Sequence, residues 1–243
     1  MEFDNIYFLG IGGIGMSALA RYFIHEGKRV AGYDRTESPL TRRLAEEGAL
    51  IHYEEDVRAI PAEFLRPERT MVVYTPAIPA DHAELRYFAD HGFRIEKRSQ
   101  MLGHLTQGKY VMAVAGTHGK TTTTTLVAWL NRHLTGGGSA FLGGISKNFD
   151  GNLVLGDGPR LAVEADEFDR SFLRLWPDVA VVTSADADHL DIYGTHEAVK
   201  EAFSQFVRQI RPGGSLVIKQ GVDILLDNPD ITGEELLRYV KGP

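Results

Sequence analysis

The chain contains no cysteine. A disulfide framework, a thiolate nucleophile and a cysteine-bound metal are thereby excluded, and the absence fits a reducing compartment. No apolar run approaches the ~18 residues of a membrane-spanning helix. The opening Met1-Glu2-Phe3-Asp4 has neither the basic start nor the apolar stretch of a secretory signal, so the expected location is the cytoplasm, with no membrane partner. Positive charge is also in deficit. A net charge of −7 argues against a nucleic-acid partner, whose phosphates demand a basic face. What remains is ordinary for a globular protein: 243 residues, 43% apolar and 24% charged, enough for one large or two ordinary domains.

The most informative stretch is Lys109–Leu126, KYVMAVAGTHGKTTTTTL. An apolar strand breaks into Gly116-Thr117-His118-Gly119-Lys120-Thr121 and re-forms as a helix through Thr122. Such a turn leaves backbone N–H groups pointing outward at a helix N-terminus, where the dipole is positive, and this is a phosphate site. Lys120 adds a cation for the outer phosphates, and the Thr121 hydroxyl is placed to hold magnesium. The strict G-x-x-x-x-G-K-[ST] pattern needs glycine at 114, where this chain has Val114, so the loop is a variant. The bland alternative is an ordinary strand-turn-helix with a solvated Lys120. Five threonines, Thr121–Thr125, start a helix poorly on propensity, so the first reads as functional and some of the rest as packing on a sheet.

A second glycine turn lies near the N-terminus. The strand IYFLG (6–10) leads into Gly10-Ile11-Gly12-Gly13-Ile14-Gly15 and a helix to about Glu26, with Gly27 as its C-cap. G-x-G-x-x-G between strand and helix is the dinucleotide-binding fingerprint, and Asp34 closes the next strand, RVAGYD. Asp34 reads equally well as a ligand-binding acid or as a strand-end residue capping the turn before Ser38-Pro39, the N-cap and first position of the next helix. MVVYT (71–75) is a third strand, followed by the turn Pro76–Pro79, and Asp81-x-x-Glu84 predicts a capping box for a helix to about His91. No catalytic acid or nucleophile stands out in this half.

The polar Thr106–Lys109 marks the domain boundary. Two phosphate-binding turns imply two α/β sheets: a Rossmann-like parallel-sheet domain over 1–107, then a P-loop-type α/β ATP-binding domain over 108–243. Beyond an expected flexible glycine-rich loop (136–144), RLAVEA (160–165) delivers Asp166-Glu167-Phe168-Asp169. Clustered carboxylates at a strand end call for a cation, and magnesium is the economical one. Glu164, inside the strand, is its best ligand, whereas Asp166, Glu167 and Asp169 read well as exposed loop acids. DVAVVTS (178–184) leads into a second polar cluster, in which His189 among Asp186, Asp188 and Asp191 reads as a metal ligand or a carboxylate partner. His25, His52 and His133 read as surface or structural. A helix over 195–210 buries Ala198, Ala202, Phe203, Phe206 and Ile210, SLVIK (215–219) is a further strand, and Thr232-x-x-Glu235 predicts a last short helix.

Four segments, GIGGIGMSALA (10–20), AVAGTHGKTTTT (113–124), EADEFDRSFL (164–173) and DADHLDIYG (186–194), together resemble the Mur ligases. The resemblance runs from residue 6 to about 219. Pairing GIGGIGM with GTHGKTTTT is most similar to the alanine-adding member, with the ligase that recycles a tripeptide as its nearest rival. The resemblance implies cell-wall peptidoglycan synthesis: ATP phosphorylates the lactyl carboxylate of UDP-N-acetylmuramate, and the amine of L-alanine attacks the acyl phosphate. It implies that Gly116, Thr117, His118, Gly119, Lys120, Thr121 and Thr122 hold the ATP phosphates, that Thr121 and Glu164 hold one Mg2+ and His189 a second, and that Lys120, Glu164 and His189 are catalytic. Gly10, Gly12, Gly13, Ile14 and Gly15, with Asp34, would bind the UDP substrate. Family members also carry a C-terminal α/β domain that closes the site, so the resemblance implies a chain incomplete at its C-terminus that turns over poorly or not at all. An NAD-dependent oxidoreductase built on the first turn and a non-catalytic nucleotide-binding module are the alternatives.

Overall fold

A computed structural model of the chain describes residues 3–134, 137–226 and 236–239. The chain divides into two compact units, Met1–Met101 and Leu102–Pro243.

The first unit runs β1 (Asn5–Leu9), α1 (Ile14–His25), β2 (Arg29–Tyr33), α2 (Pro39–Glu46), β3 (Leu50–His52), β4 (Thr70–Tyr74), α3 (Ala83–Asp90) and β5 (Arg94–Lys97). All strands pair in parallel in the order β3-β2-β1-β4-β5. β1 is buried along its whole length, as a central parallel strand must be, which explains the unbroken apolar run IYFL. Tyr7, Leu9, Tyr33, Phe64, Val72, Phe88 and Phe93 form one core cluster. Ser38 caps α2 as expected, its hydroxyl accepting the Thr41 N–H with Pro39 next in line.

The capping box predicted at Asp81–Glu84 does not form. His82 is the N-cap of α3 and makes no side-chain cap bond. Glu84 turns inward instead and is 0% exposed. Its Oε2 lies 2.6 Å from Tyr7 Oη, which in turn lies 2.7 Å from His52 Nε2. His52 Nδ1 faces the Glu54 carbonyl oxygen at 2.8 Å. Burial pushes the Glu84 carboxyl up to about 7, aided by the charge of Glu55 and opposed by the Tyr7 hydrogen bond. Burial also lowers the pKa of His52.

Helix α4 (Arg98–Thr106) leads on to β6 (Tyr110–Ala115), α5 (Lys120–Leu134), β7 (Ser139–Ser146), β8 (Gly151–Val154), β9 (Arg160–Glu164), a 3-10 helix (Phe168–Arg174), β10 (Val179–Val182), α6 (Leu190–Tyr193), α7 (His196–Arg208), β11 (Ser215–Lys219) and β12 (Leu236–Tyr239). The sheet of the second unit is ordered β12-β11-β10-β6-β9-β7-β8 and is parallel except for the β7–β8 hairpin. That hairpin corrects the sequence reading. Residues 139–146 are not a loop but a strand whose apolar Ala140, Phe141 and Leu142 are buried, with Gly143 and Gly144 at the strand's more exposed end. α5 covers one part of the sheet through Ala128, packed against Ala140, Leu142 and Ala162. Phe172, stacked on Phe206 and edge-on to Phe203, joins the 3-10 helix to α7. The buried stripe of α7 contains Val199, whereas Ala198 is only half-buried. With Thr195 as N-cap, Val199 lies one turn before Phe203 on the same face. The predicted capping box at Thr232–Glu235 and the side chain of Asp169 lie outside the described residues.

Each sheet changes winding direction beside its first strand. In the first unit β2 and β4 flank β1, and in the second β10 and β9 flank β6. Connections leave such a strand on opposite sides, opening a crevice at its C-terminal end. Both glycine turns begin there.

Candidate functional site

In the first unit the Gly12 N–H donates to Asp34 Oδ2 at 2.7 Å, and the Asp34 N–H donates to the His52 carbonyl oxygen at 3.2 Å. Asp34 is thereby the brace of the glycine turn. A Cβ at Gly12 would lie 2.9 Å from Asp34 Oδ2 and 2.7 Å from Thr41 Cγ2, so glycine is required there for closeness. Gly13 is the N-cap of α1 and offers no side-chain cap, and Ile14 and Gly15 follow in its first turn. Gly10 stands at the strand end, where its N–H donates to the Tyr33 carbonyl oxygen. Arg98, just past the end of β5, reaches this turn: a Cβ on Gly15 would meet its Nη1 at 2.6 Å. No carboxylate pairs with Arg98 among the described residues. A guanidinium beside a helix N-terminus is a fitting receptor for a doubly charged phosphate chain. Nothing in the residues RSQ (98–100) signalled Arg98 from sequence; only the pairing of β5 with β4 brings it here.

In the second unit Gly116 ends β6 with φ +139°. A Cβ there would lie 2.0 Å from Thr183 Oγ1, so both the angle and the space require glycine. The segment after β10 braces the turn. Thr183 Oγ1 donates to the His118 carbonyl oxygen at 2.5 Å, Ser184 Oγ accepts the His118 N–H at 2.9 Å, and the Thr117 and Ser184 hydroxyls lie 2.8 Å apart. The N–H groups of Gly119, Lys120, Thr121 and Thr122 make no backbone hydrogen bond among the described residues. They open α5 and form a nest of donors for an anion. Thr124 is buried and bonds back to the Lys120 carbonyl oxygen, so it is the threonine that packs.

Glu164, half-buried at the end of β9, accepts the Thr121 hydroxyl at 3.0 Å and the Gly143 N–H at 2.8 Å. A hydroxyl and a carboxylate together offer hard oxygen ligands suited to Mg2+, which keeps several waters and asks few protein groups. Glu167 departs from the sequence reading. Rather than standing on an exposed loop, it is 1% exposed and takes Lys120 Nζ on both carboxylate oxygens, at 2.8 and 2.7 Å. His189 stands beside Glu167 and Asp188. Its Nε2 lies 3.7 Å from Glu167 Oε1 and 3.9 Å from Asp188 Oδ2. The described residues contain no group of three His, Asp or Glu side chains arranged to hold a metal. His189 has φ +52° as the N-cap of α6, a left-handed conformation uncommon outside glycine and enriched at functional turns. Beside the turn lies a polar cavity of about 240 Å³ lined by Ser184, Asp186, His196, Lys200 and Lys219.

Two family models match the chain in succession, the Mur ligase family catalytic domain over residues 5–110 and the Mur ligase middle domain over 114–230. The UDP-N-acetylmuramate–L-alanine ligase of Phocaeicola vulgatus is 54% identical over 221 residues, covering 90% of this chain and 48% of that protein. The ligase of the same name from Christiangramia forsetii is 45% identical over 96% of this chain and 53% of its own length. The chain thus spans about half the length of the curated relatives it matches. Among solved structures, UDP-N-acetylmuramate-alanine ligase of Thermotoga maritima aligns with TM-score 0.79 and 31% identity over 93% of this chain and 51% of that one. The UDP-N-acetylmuramate:L-alanyl-gamma-D-glutamyl-meso-diaminopimelate ligase of Neisseria meningitides aligns with TM-score 0.84 and 25% identity over 97% and 77%. With both family models matched in succession over residues 5–110 and 114–230, the chain belongs to the Mur ligase family.

Proposed function

We propose that this chain carries the UDP-substrate and ATP-binding halves of an ATP-dependent ligase that joins L-alanine to UDP-N-acetylmuramate. The observation that carries the reading is the second-unit turn, where four free N–H groups, Lys120 and the Thr121–Glu164 pair converge. In the reaction, a carboxylate oxygen of the muramate attacks the γ-phosphorus of ATP and ADP leaves. The L-alanine amine then attacks the acyl carbon, loses a proton and expels phosphate. Phosphoryl transfer asks for positioning and charge neutralisation more than for a protein nucleophile, which suits a chain without cysteine. The Gly119–Thr122 amides would grip the phosphates and Lys120 would offset their charge. Thr121 and Glu164 fit Mg2+ by their oxygen donors, and the ion would neutralise phosphate charge when bound. The pyrophosphate of the UDP substrate would lie on Gly10–Gly15 with Arg98 beside it.

Calorimetry of this chain with UDP-N-acetylmuramate, ATP–Mg and NADH tests the reading. Binding of the first two and not the third is expected. Lys120→Ala should severely weaken ATP binding and leave UDP-N-acetylmuramate binding intact; equal loss of both sinks the two-site reading. The likeness to the Neisseria enzyme supports a second reading, a ligase that adds a tripeptide. Coupled phosphate release with L-alanine or with L-alanyl-γ-D-glutamyl-meso-diaminopimelate as the amine separates the two.

A further inference from the structure

Glu167 carries the one buried carboxylate of the segment Asp166-Glu167, and the fold goes to some length to place it. Its carbonyl oxygen accepts the Tyr193 hydroxyl at 2.6 Å and the Arg170 N–H at 2.9 Å, while the Arg170 guanidinium lies over the Tyr193 ring. The 3-10 helix that follows is pinned through Phe172 against α7. The side chain therefore springs from a fixed backbone into an interior where it is 1% exposed.

A carboxylate so buried requires a matching cation or loses its charge. Among the described residues, Lys120 is the only lysine or arginine within ion-pair distance of it. Were the ammonium to swing off towards a nucleotide, Glu167 would keep only His189, whose Nε2 at 3.7 Å from Oε1 compensates the charge only when the imidazole is protonated, and a buried carboxylate without a cation is strongly disfavoured. An ammonium has three N–H donors, and two are spent on Glu167 Oε1 and Oε2. The third is left for a phosphate oxygen. A flexible four-carbon lysine arm is otherwise a poorly placed point charge, and immobilising it in advance removes that ordering cost from binding.

We propose that Glu167 is the positioning residue for Lys120, holding its ammonium docked beside the Gly116–Thr122 turn with one N–H directed to the phosphates of ATP. This rests on the reading of that turn as the ATP site. Neighbouring Asp166, half-buried with Oδ1 4.0 Å from Lys120 Nζ, is too distant for a direct hydrogen bond and serves as the control.

The test is a double-mutant cycle in ATP–Mg binding, measured by calorimetry on the whole 243-residue chain, with UDP-N-acetylmuramate binding as the check on folding. Glu167→Gln is expected to weaken ATP binding about tenfold, and Asp166→Asn by less than twofold. Glu167→Asp, which keeps the charge on a shorter arm, should recover part of the loss. In a Lys120→Ala background Glu167→Gln should cost nothing further, measured at concentrations that capture the residual affinity. Tighter ATP binding by Glu167→Gln would make Glu167 a competitor for Lys120 and overturn the proposal. So would an equal loss with and without Lys120, or a loss of UDP-N-acetylmuramate binding in step with ATP binding. A wild-type chain that binds UDP-N-acetylmuramate but no ATP–Mg overturns the ATP-site reading itself, and this proposal with it.

Discussion

Replacing Glu84 with glutamine should remove a pH dependence from the first unit without unfolding it. The hydrogens around Tyr7 can be counted. The Glu54 carbonyl oxygen can only accept, so His52 Nδ1 carries a hydrogen. With neutral imidazole, Nε2 is then an acceptor and takes the Tyr7 hydroxyl hydrogen. In that arrangement the 2.6 Å contact between Tyr7 Oη and Glu84 Oε2 takes its hydrogen from protonated Glu84, whereas the ionised carboxylate accepts the Tyr7 hydroxyl instead. The same proton count with ionised Glu84 and cationic His52 is disfavoured, because burial raises the Glu84 pKa and lowers that of His52. A rise from 4.5 to about 7 corresponds to about 3 kcal/mol, at ~1.4 kcal/mol per unit. The sign follows from the raised pKa. Below pH 4.5 both folded and unfolded chains hold the proton and the contribution is complete. Between 4.5 and 7 the unfolded chain releases it while the folded chain does not, so stability falls with rising pH, and above 7 the curve is flat. His52 and His82, both lowered by burial, slope the opposite way below pH 6.5, so the quantity to read is wild type minus variant. The amide that Glu84→Gln introduces would donate to Tyr7 Oη as the protonated acid does, keeping the chain of bonds intact at every pH. Native-state hydrogen exchange of the β1 amides, measured from about pH 4.5 to 8, reports opening of this unit. A difference curve that is flat, or that rises between 4.5 and 7, would refute the proton count.

Further outcomes follow from the same geometry. Gly116→Ala sets a methyl group against Thr183 Oγ1 at a φ of +139° and should cost about 2–3 kcal/mol of second-unit stability, read by denaturant unfolding, together with ATP binding. Gly12→Ala, crowding Asp34 and Thr41, should abolish UDP-N-acetylmuramate binding in calorimetry while ATP–Mg binding persists. Asp178 takes the Val111 N–H and the Arg211 guanidinium on Oδ2; Asp178→Ala orphans the Val111 N–H and leaves Arg211 only the Lys109 and Thr106 carbonyl oxygens, and should lower stability by about 1–3 kcal/mol, visible as a shifted urea midpoint. Thr121→Ala should make nucleotide affinity nearly insensitive to added Mg2+, whereas in the wild-type chain titrated magnesium should strengthen it.

Period and punctuation explain what the sequence disclosed. A central parallel strand is apolar on both faces, so β1, β6, β9 and β10 announce themselves, and a glycine turn at such a strand's end marks a switch point before any sheet is drawn. The hidden features are those in which tertiary contact overrules local pattern. Asp81 and Glu84 have the spacing of a capping box, yet Glu84 gains more from Tyr7 than from the helix end, and no local rule ranks those two partners. The glycines of β7 read as loop because the buried Ala140, Phe141 and Leu142 show their value only once β9 is beside them. Asp34, open to two readings in sequence, braces the turn by accepting the Gly12 N–H, a contact no local pattern announces. Glu167 makes the same point at the ATP turn. The acids around it look equally solvated in sequence, and what singles one out is the burial of its side chain against a lysine 47 residues away. In both units the turns that would hold phosphate were legible, because glycine and lysine at a strand end have few other uses, whereas Arg98 was not, since only the fold brings it to its turn. The groups that hold them in place were not, since an acid's partner is chosen by the fold.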